Sequence, residues 1–231
     1  MEFIIISVII VILIIILKFI FEYNISEMKK IGINKELDEI AKKYPSNIEI
    51  CKEYLKMVNN EDVIVEENKD TEASLYIAIT NKISIANIQK SYTRIQTLAH
   101  ECLHSIQDRK LLLFNFYFSN VYLLYFVISL ILSIFFNKLQ LMLFIILQLF
   151  GITMYMVRAY LENDAMIKAR FLAKEYLEEK KISDSKEINK MVYEFDKINN
   201  LGIKCTNYDL FLRVMIKSLI FCIVCIIRNI I

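Results

Sequence analysis

The sequence predicts a mainly α-helical membrane protein with about four transmembrane helices and a small polar α+β portion. Hydrophobic residues make up 56% of the 231 residues and charged residues 23%, so apolar and polar stretches must be segregated along the chain. Several apolar runs are long enough to cross a hydrocarbon core of about 30 Å. An alternating, isoleucine-rich stretch at 75–86 adds a small sheet.

The first segment, 1–21, is predicted to be a transmembrane anchor. Phe3 to Leu17 is almost entirely Ile, Val and Leu, and the apolar character continues to Phe21. At about 1.5 Å per residue such a helix can cross a bilayer. A cleaved signal peptide would begin with basic residues and end at a small-residue cleavage site, whereas this chain begins with Met1 and Glu2. We therefore expect a retained anchor.

The segment 22–110 is polar and is predicted to combine short helices with a small sheet. Apolar spacing indicates two helices, a strand, a hairpin and a third helix, in that order, at 36–44, 47–58, 62–65, 75–86 and 87–107. The last helix has no Gly or Pro to stop it and could continue into the next span. An exposed edge strand could hold an extended peptide, or the hairpin could be purely structural.

The segment 111–157 is predicted to be a transmembrane hairpin. Leu111 to Phe136 and Leu139 to Val157 are both apolar, and a polar turn separates them. A second polar segment, 158–209, follows, in which helices are expected at 162–181 and 187–198.

Near the end of this polar segment, Gly202 is predicted to break the helical pattern before the last span. The last segment, 210–231, is apolar but contains Arg213, Lys217 and Arg228. It could cross the membrane or lie amphipathically in its interface.

Charge distribution predicts the orientation in the membrane. Nearly all Lys and Arg residues fall within 18–110 and 158–209. The positive-inside rule predicts that both segments lie in the cytoplasm. The lipid bilayer is expected to surround the apolar segments. A formal net charge of +2 is too small to indicate a nucleic-acid partner.

The two histidines of the chain are four residues apart, in the sequence Ala-His-Glu-Cys-Leu-His at 99–104. This is the H-E-x-x-H motif of zinc hydrolases. On a helix, His100 and His104 share one face and can bind one metal ion, while Glu101 can take a proton from a water molecule on that metal. With no other histidine, a third protein ligand must be a carboxylate or a cysteine.

The third ligand is predicted to come from a second helix that faces the first. By helical rise, Glu162 lies roughly 8 Å beyond the end of the third span. His104 lies roughly 10 Å before the start of the second span, so both side chains are expected at a similar height above the membrane. An antiparallel hairpin would bring these heights together. Competing carboxylates are Asp164, Glu175 and Asp108, and weaker candidates are Cys102 and Cys205.

These residues resemble the YugP-like family of neutral zinc metallopeptidases, which are bacterial membrane proteins. The resemblance rests on Ala-His-Glu-x-x-His-x-x-Gln at 99–107 and Glu-x-Asp-Ala at 162–165, and it covers nearly the whole chain. It implies a zincin-like cytoplasmic portion, with Zn²⁺ held by His100, His104 and Glu162 and with Glu101 catalytic. It also implies a multi-pass protein of the bacterial plasma membrane and a distant likeness to the HtpX and CAAX-type proteases.

The chain departs from this family at Leu103, where the family has Gly, and at Ser105, where it has Ala. Leu103 could narrow the approach to the metal. Related zinc proteases often have an Asp four residues after the ligand glutamate; Met166 occupies that position, and Asp164 could orient a histidine instead.

An oxyanion donor could come from Tyr160, Arg158 or Tyr208. The expected function is zinc-dependent cleavage of membrane-associated or misfolded polypeptides at the cytoplasmic face, with Glu101 as general base. The alternatives are a catalytically silent membrane scaffold and a zinc hydrolase of a non-peptide amide. The oligomeric state does not follow from the sequence.

Overall fold

The computed structural model describes residues 1–68, 70–71 and 73–230 as a mainly helical protein with one small sheet. The helices are α1 (Glu2–Ile20), α2 (Ile25–Ile31), α3 (Lys35–Ala41), α4 (Asn47–Met57), α5 (Arg94–Ser105), α6 (Arg109–Phe135), α7 (Gln140–Lys180) and α8 (Ser185–Ile230). The strands are β1 (Ile64–Glu67), β2 (Leu75–Ile77) and β3 (Lys82–Ile85), and a 3₁₀ turn, Asn137–Leu139, precedes α7. The predicted mainly α class with a small sheet is confirmed.

The chain divides into two compact units. The apolar unit consists of Met1–Tyr23, Phe114–Tyr160 and Lys204–Ile231, and the polar unit of Asn24–Leu113 and Leu161–Ile203. Within the described part of the chain, four helical segments are long and apolar enough to cross a membrane, by length and composition: Glu2–Ile31, Arg109–Phe135, Asn137–Lys180 and Ser185–Ile230. The predicted number of candidate spans is therefore found.

The apolar unit is held together by close helix packing and a few polar contacts. Its core contains residues of α1, α6, α7 and α8, among them Phe3, Tyr122 and Phe221. A Cβ atom on Gly151 would lie 2.5 Å from Val214 Cγ1, so the absence of a side chain lets α7 and α8 approach. Small residues at helix interfaces serve this purpose in membranes, where polar contacts between helices also help.

The sheet of the polar unit has the order β1-β3-β2. Strand β3 pairs parallel with β1 and antiparallel with β2, so the predicted hairpin at 75–86 is present. Strand β2 pairs with β3 on one side only and is an edge strand. The inward residues of β3, such as Ile83 and Ile85, join α4, α5 and α7 in one hydrophobic core.

Helix α5, which carries the histidine motif, begins at Arg94 rather than at Asn87 as predicted. The preceding main chain is bound by side chains: the Tyr92 N–H donates to the Asp38 carboxylate at 2.8 Å, and Ser91 Oγ accepts the N–H two residues later at 3.2 Å. Asp and Ser side chains that bind main-chain N–H groups compete with helix formation. Residues 87–93 therefore form bends and turns instead of the first turns of the helix.

Helix α5 also ends before the second span instead of continuing into it. The helix is capped at Ile106, and the Asp108 carboxylate accepts the Lys110 N–H at 2.8 Å. An Asp at this position satisfies an N–H that the first turn of a helix leaves unpaired. Asp108 therefore starts α6 as a separate helix.

The prediction that Gly202 interrupts the last helix was wrong. Helix α8 is continuous through it, and a Cβ atom at this position would lie 2.7 Å from Met166 Cε. The glycine lets α8 pass close to α7 within the polar unit. One glycine inside a helix costs about 1 kcal/mol, which packing of this kind can offset.

The start of α5 is fixed by a buried guanidinium. Arg94 is fully buried, and its two terminal nitrogens donate to acceptors in and beside the turn that joins α3 to α4. The four acceptors are the main-chain oxygens of Ala41, Tyr44 and Pro45 and the side-chain oxygen of Asn47, at 2.8 to 3.0 Å. The planar fork of an arginine suits such a set of acceptors. Arg94 thereby connects the motif helix to the N-terminal part of the polar unit.

Candidate metal centre

Helix α5 presents both histidines of the motif on one face, as the spacing of four residues requires. The imidazole rings of His100 and His104 meet edge to face, with centroids 4.5 Å apart and an angle of 84° between their planes. Their Nε2 atoms are 3.0 Å apart. Each ring therefore directs the same type of nitrogen towards one point.

The third group comes from α7. Glu162 Oε2 lies 3.4 Å from His100 Nε2 and 3.6 Å from His104 Nε2. Within the described residues, these three form the one group of His, Cys, Asp and Glu side chains that could hold a metal ion. The structure thus brings together the two motif histidines and the carboxylate that the sequence placed at the same height.

The three donor atoms fit a tetrahedral metal ion. Bonds of about 2.0–2.1 Å at tetrahedral angles imply separations between donor atoms of roughly 3.3–3.4 Å. The observed separations of 3.0, 3.4 and 3.6 Å bracket that value. Two imidazole nitrogens and one carboxylate also leave a fourth position open, as catalytic zinc sites do.

Glu101 lies beside this group but is held apart from it. Its side chain is buried, and one carboxylate oxygen accepts the main-chain N–H of Tyr76, in the edge strand β2, at 2.7 Å. Burial raises the pKa of the Glu101 carboxyl above its usual range, although the neighbouring imidazoles and the Tyr76 N–H act in the opposite direction. A buried carboxylate of raised pKa beside a ligand cluster is suited to accept and release a proton.

His104 is oriented by Gln107, whose position in the motif was noted from the sequence but whose role was not predicted. Gln107 Oε1 lies 2.8 Å from His104 Nδ1, while Gln107 Nε2 donates to the Leu161 carbonyl at 2.8 Å and to Asp164 Oδ2 at 3.1 Å. Because Nε2 faces two acceptors, the amide oxygen must face the ring. The ring nitrogen Nδ1 is then the protonated one, which leaves Nε2 free as a ligand.

The charge around the cluster favours a cation. Burial alone would lower the pKa of His104, but the hydrogen bond to Glu162 and the negative charges of Glu101 and Glu162 outweigh it and raise the pKa. The same carboxylates that attract a proton to the ring attract a metal ion. Protons and metal ions therefore compete for this site.

The other predicted ligand candidates in the polar unit serve other purposes. Asp164 accepts a hydrogen bond from Gln107, which in turn contacts His104, instead of binding a histidine directly as predicted, and Asp108 binds the start of α6. Cys102 points into the core, where its sulfur lies 3.4 Å from that of Cys51. Its placement on another face of α5 agrees with the prediction.

The remaining candidates also lie outside the cluster. Glu175 is exposed on α7, and Cys205 is buried in the apolar unit. The suggested oxyanion donors Tyr160, Arg158 and Tyr208 belong to the apolar unit as well. The Tyr208 hydroxyl donates to a main-chain oxygen of α1 at 3.3 Å.

Leu103, the residue that departs from the family pattern, is part of the core of the polar unit. Its side chain is buried and belongs to the hydrophobic core of this unit. Ser105, the other departure, donates to the Cys102 carbonyl and accepts a hydrogen bond from Asn60 at 2.9 Å. Leu103 is therefore accommodated by packing, and Ser105 by hydrogen bonds.

Comparison of the chain with protein-family models, with curated proteins and with solved structures gave no match. The resemblance to the YugP-like metallopeptidases therefore stays a prediction from the motif residues.

Proposed function

We propose that the chain is a membrane-embedded zinc metalloendopeptidase that cleaves membrane-associated or misfolded polypeptides at the cytoplasmic face. The observation that carries the proposal is the cluster of His100, His104 and Glu162, with a second, buried carboxylate, Glu101, beside it. Three ligands with an open fourth position and an adjacent base are the parts that metal-assisted hydrolysis requires.

His100, His104 and Glu162 would hold the ion. Bound there, zinc would polarise the scissile carbonyl and lower the pKa of a coordinated water to about 7. Glu101 would accept the proton of the water as its oxygen attacks the carbonyl carbon. The same carboxyl would then deliver this proton to the nitrogen of the leaving amine as the carbon–nitrogen bond breaks. The Tyr76 N–H and the buried surroundings would keep Glu101 in place for both transfers.

A polypeptide substrate is supported by the strand next to Glu101. Strand β2 is an edge strand, and the N–H of its residue Tyr76 already points to the Glu101 carboxylate. Main-chain groups on the same edge could pair with an extended peptide, which would bring a peptide bond close to the base. No comparable support exists for a non-peptide amide.

The cytoplasmic location rests on the charge distribution of the loops. Most Lys and Arg residues lie in the two segments that form the polar unit, and the cluster belongs to that unit. Glu162 follows two residues after Tyr160, the last residue of α7 in the apolar unit. A substrate anchored in the membrane could present its juxtamembrane part to such a site.

The experiment uses the full-length chain purified in detergent. Wild-type protein should contain one zinc ion per chain and should cleave casein, and a chelator should stop the cleavage. Glu101→Gln should keep the zinc and lose the cleavage, whereas His104→Ala should lose both. Wild-type protein without stoichiometric zinc, or cleavage that survives in Glu101→Gln, would contradict the proposal.

A silent scaffold would be favoured by a blocked approach to the metal, for which Leu103 was the main indication. The burial of Leu103 in the core of the polar unit supports a packing role for this side chain. Zinc binding with no cleavage of casein or of membrane-protein substrates would restore the scaffold alternative.

A further inference from the structure

Helix α8 carries a basic residue near the middle of its apolar part. Asp209 and Arg228 bound that part, and at 1.5 Å per residue they are about 28 Å apart along the helix axis, close to the thickness of a hydrocarbon core. Lys217 lies about 12 Å from Asp209 and about 16 Å from Arg228 on the same scale. In a membrane-spanning α8, the main chain of Lys217 therefore lies near the middle of the hydrocarbon core.

The packing of α8 indicates that this helix crosses the membrane rather than lying in the membrane interface. Its C-terminal part contributes Val214, Phe221 and Cys225 to the core of the apolar unit, together with residues of α1, α6 and α7. At the level of Lys217, Ser218 exchanges hydrogen bonds with Gln148 of α7 at 2.8 and 3.1 Å. Ser218 and Gln148 thus satisfy each other within the unit.

Among the residues that the structure describes, Lys217 has an aromatic contact but no carboxylate partner. Its Nζ lies 5.1 Å from the ring centroid of Tyr122, a cation–π contact of modest strength. The buried Tyr122 hydroxyl has no hydrogen-bond partner among the described residues. A charged side chain at the centre of a bilayer is costly and is usually paired, so this position calls for an anion.

The chain itself cannot supply this anion. The segments of the apolar unit contain three acidic residues, Glu2, Glu22 and Asp209, and all three lie at the ends of the spans. A second copy of the chain therefore has no carboxylate to place at mid-depth. Lipid phosphates are also too far away, since they lie at the surface of a core that is about 30 Å thick.

We propose that Lys217 is the anchor of a docking surface for the transmembrane helix of a different protein, one that carries Asp or Glu near its middle. The surface continues on the exposed side of α8 through Ile216, Ile220 and Ile223, which are 40–50% exposed. Lys217 is partly exposed at the border of this stripe, with Arg213 one turn away. The inference does not depend on the proposed peptidase activity.

The test uses the full-length chain, labelled with a fluorescent donor and reconstituted in phosphatidylcholine vesicles. The probes are three synthetic poly-leucine helices that carry an acceptor and differ only in one central residue: Asp, Asn or Leu. Energy transfer reports their association. We expect the Asp helix to bind roughly five- to thirty-fold more tightly than the Leu helix, which is the range of polar contacts between helices in model membranes.

Substitutions assign this preference to one residue. Lys217→Leu should abolish the preference for Asp, and Lys217→Arg should retain it. Arg213→Leu is the matched control, because it removes a positive charge from the same helix nearer the membrane surface, and it should keep the preference. Far-ultraviolet circular dichroism and thermal unfolding should show that all variants are folded.

Three results would overturn the inference. The first is equal binding of the Asp and Leu helices by the wild-type chain, which would leave Lys217 with its contact to Tyr122 alone. The second is an Asp preference that survives in Lys217→Leu. The third is an equal loss in Arg213→Leu, which would attribute the preference to positive charge in general.

Discussion

Replacement of Gln107 by leucine should weaken metal binding although Gln107 is not a ligand. The substitution keeps the approximate size of the side chain but removes the acceptor for His104 Nδ1 and both donations to α7. Without that acceptor, the ring can rotate or carry its proton on Nε2, the nitrogen that must face the metal.

The expected magnitude follows from these three contacts. The hydrogen bond to His104 alone is worth about 1 kcal/mol, a factor of roughly five in affinity. The two contacts from Gln107 Nε2 to Leu161 and Asp164 connect the end of α5 to the turn of α7 that carries Glu162. Loss of these two contacts should also make the position of Glu162 less fixed. Together the effects predict a metal affinity about 10- to 100-fold weaker, which is typical of lost partners of metal-bound histidines.

The assay is a titration of the metal-free, detergent-solubilised chain with Zn²⁺ in competition with a chromophoric chelator. Co²⁺ provides a second readout, because its visible absorption reports a tetrahedral site. Gln96→Leu is the matched control: Gln96 is a buried glutamine of α5 that donates to the Phe195 carbonyl at 3.4 Å and, among the described residues, has no hydrogen bond to either histidine. Wild-type affinity in Gln107→Leu, or an equal loss in Gln96→Leu, would refute the positioning role.

Two further substitutions test the scaffold of the site. Arg94→Met should lower the free energy of unfolding by about 3–5 kcal/mol, because it removes the guanidinium donors of four oxygens, of which the Ala41 oxygen retains the Tyr44 N–H. Arg94→Lys should recover less than half of that loss, and chemical unfolding of the metal-free chain measures both. Leu103→Gly should cost about 3–5 kcal/mol through a core cavity and a glycine in α5, with an unchanged cleavage rate per zinc-loaded molecule. Faster cleavage at unchanged stability would show instead that Leu103 obstructs the metal.

Local patterns were sufficient to predict the parts of the structure that depend on spacing. The four-residue separation of His100 and His104 determines their common face on any helix, and the alternation at 75–86 is realised as β2 and β3. The position of Glu162 required one more step, namely that two antiparallel spans return to the same height. That step depends on chain length rather than on side-chain detail, which is why it could be taken from the sequence.

Features that depend on long-range contacts could not be predicted. Asp38 captures the Tyr92 N–H from 54 positions away and so delays the start of α5. The local pattern around Gly202 predicts a helix break, because that pattern contains no information about the Met166 side chain of α7 against which the glycine packs. The role of Gln107 is a similar case: its spacing of three from His104 was visible, but the acceptors that fix its amide are on α7.

The site contains two carboxylates of the same chemical type, and their neighbours give them different roles. Glu162 has an oxygen 3.4 and 3.6 Å from the two imidazole nitrogens, so it is placed as a ligand. One oxygen of Glu101 accepts the Tyr76 N–H at 2.7 Å, and this hydrogen bond keeps the Glu101 carboxylate beside the cluster rather than within it. Had Glu101 been free to turn towards the imidazoles, it would compete for the open position that hydrolysis requires. The edge strand thus contributes a main-chain donor that separates the proposed base from the proposed ligands, and it does so on the edge where an extended peptide could bind.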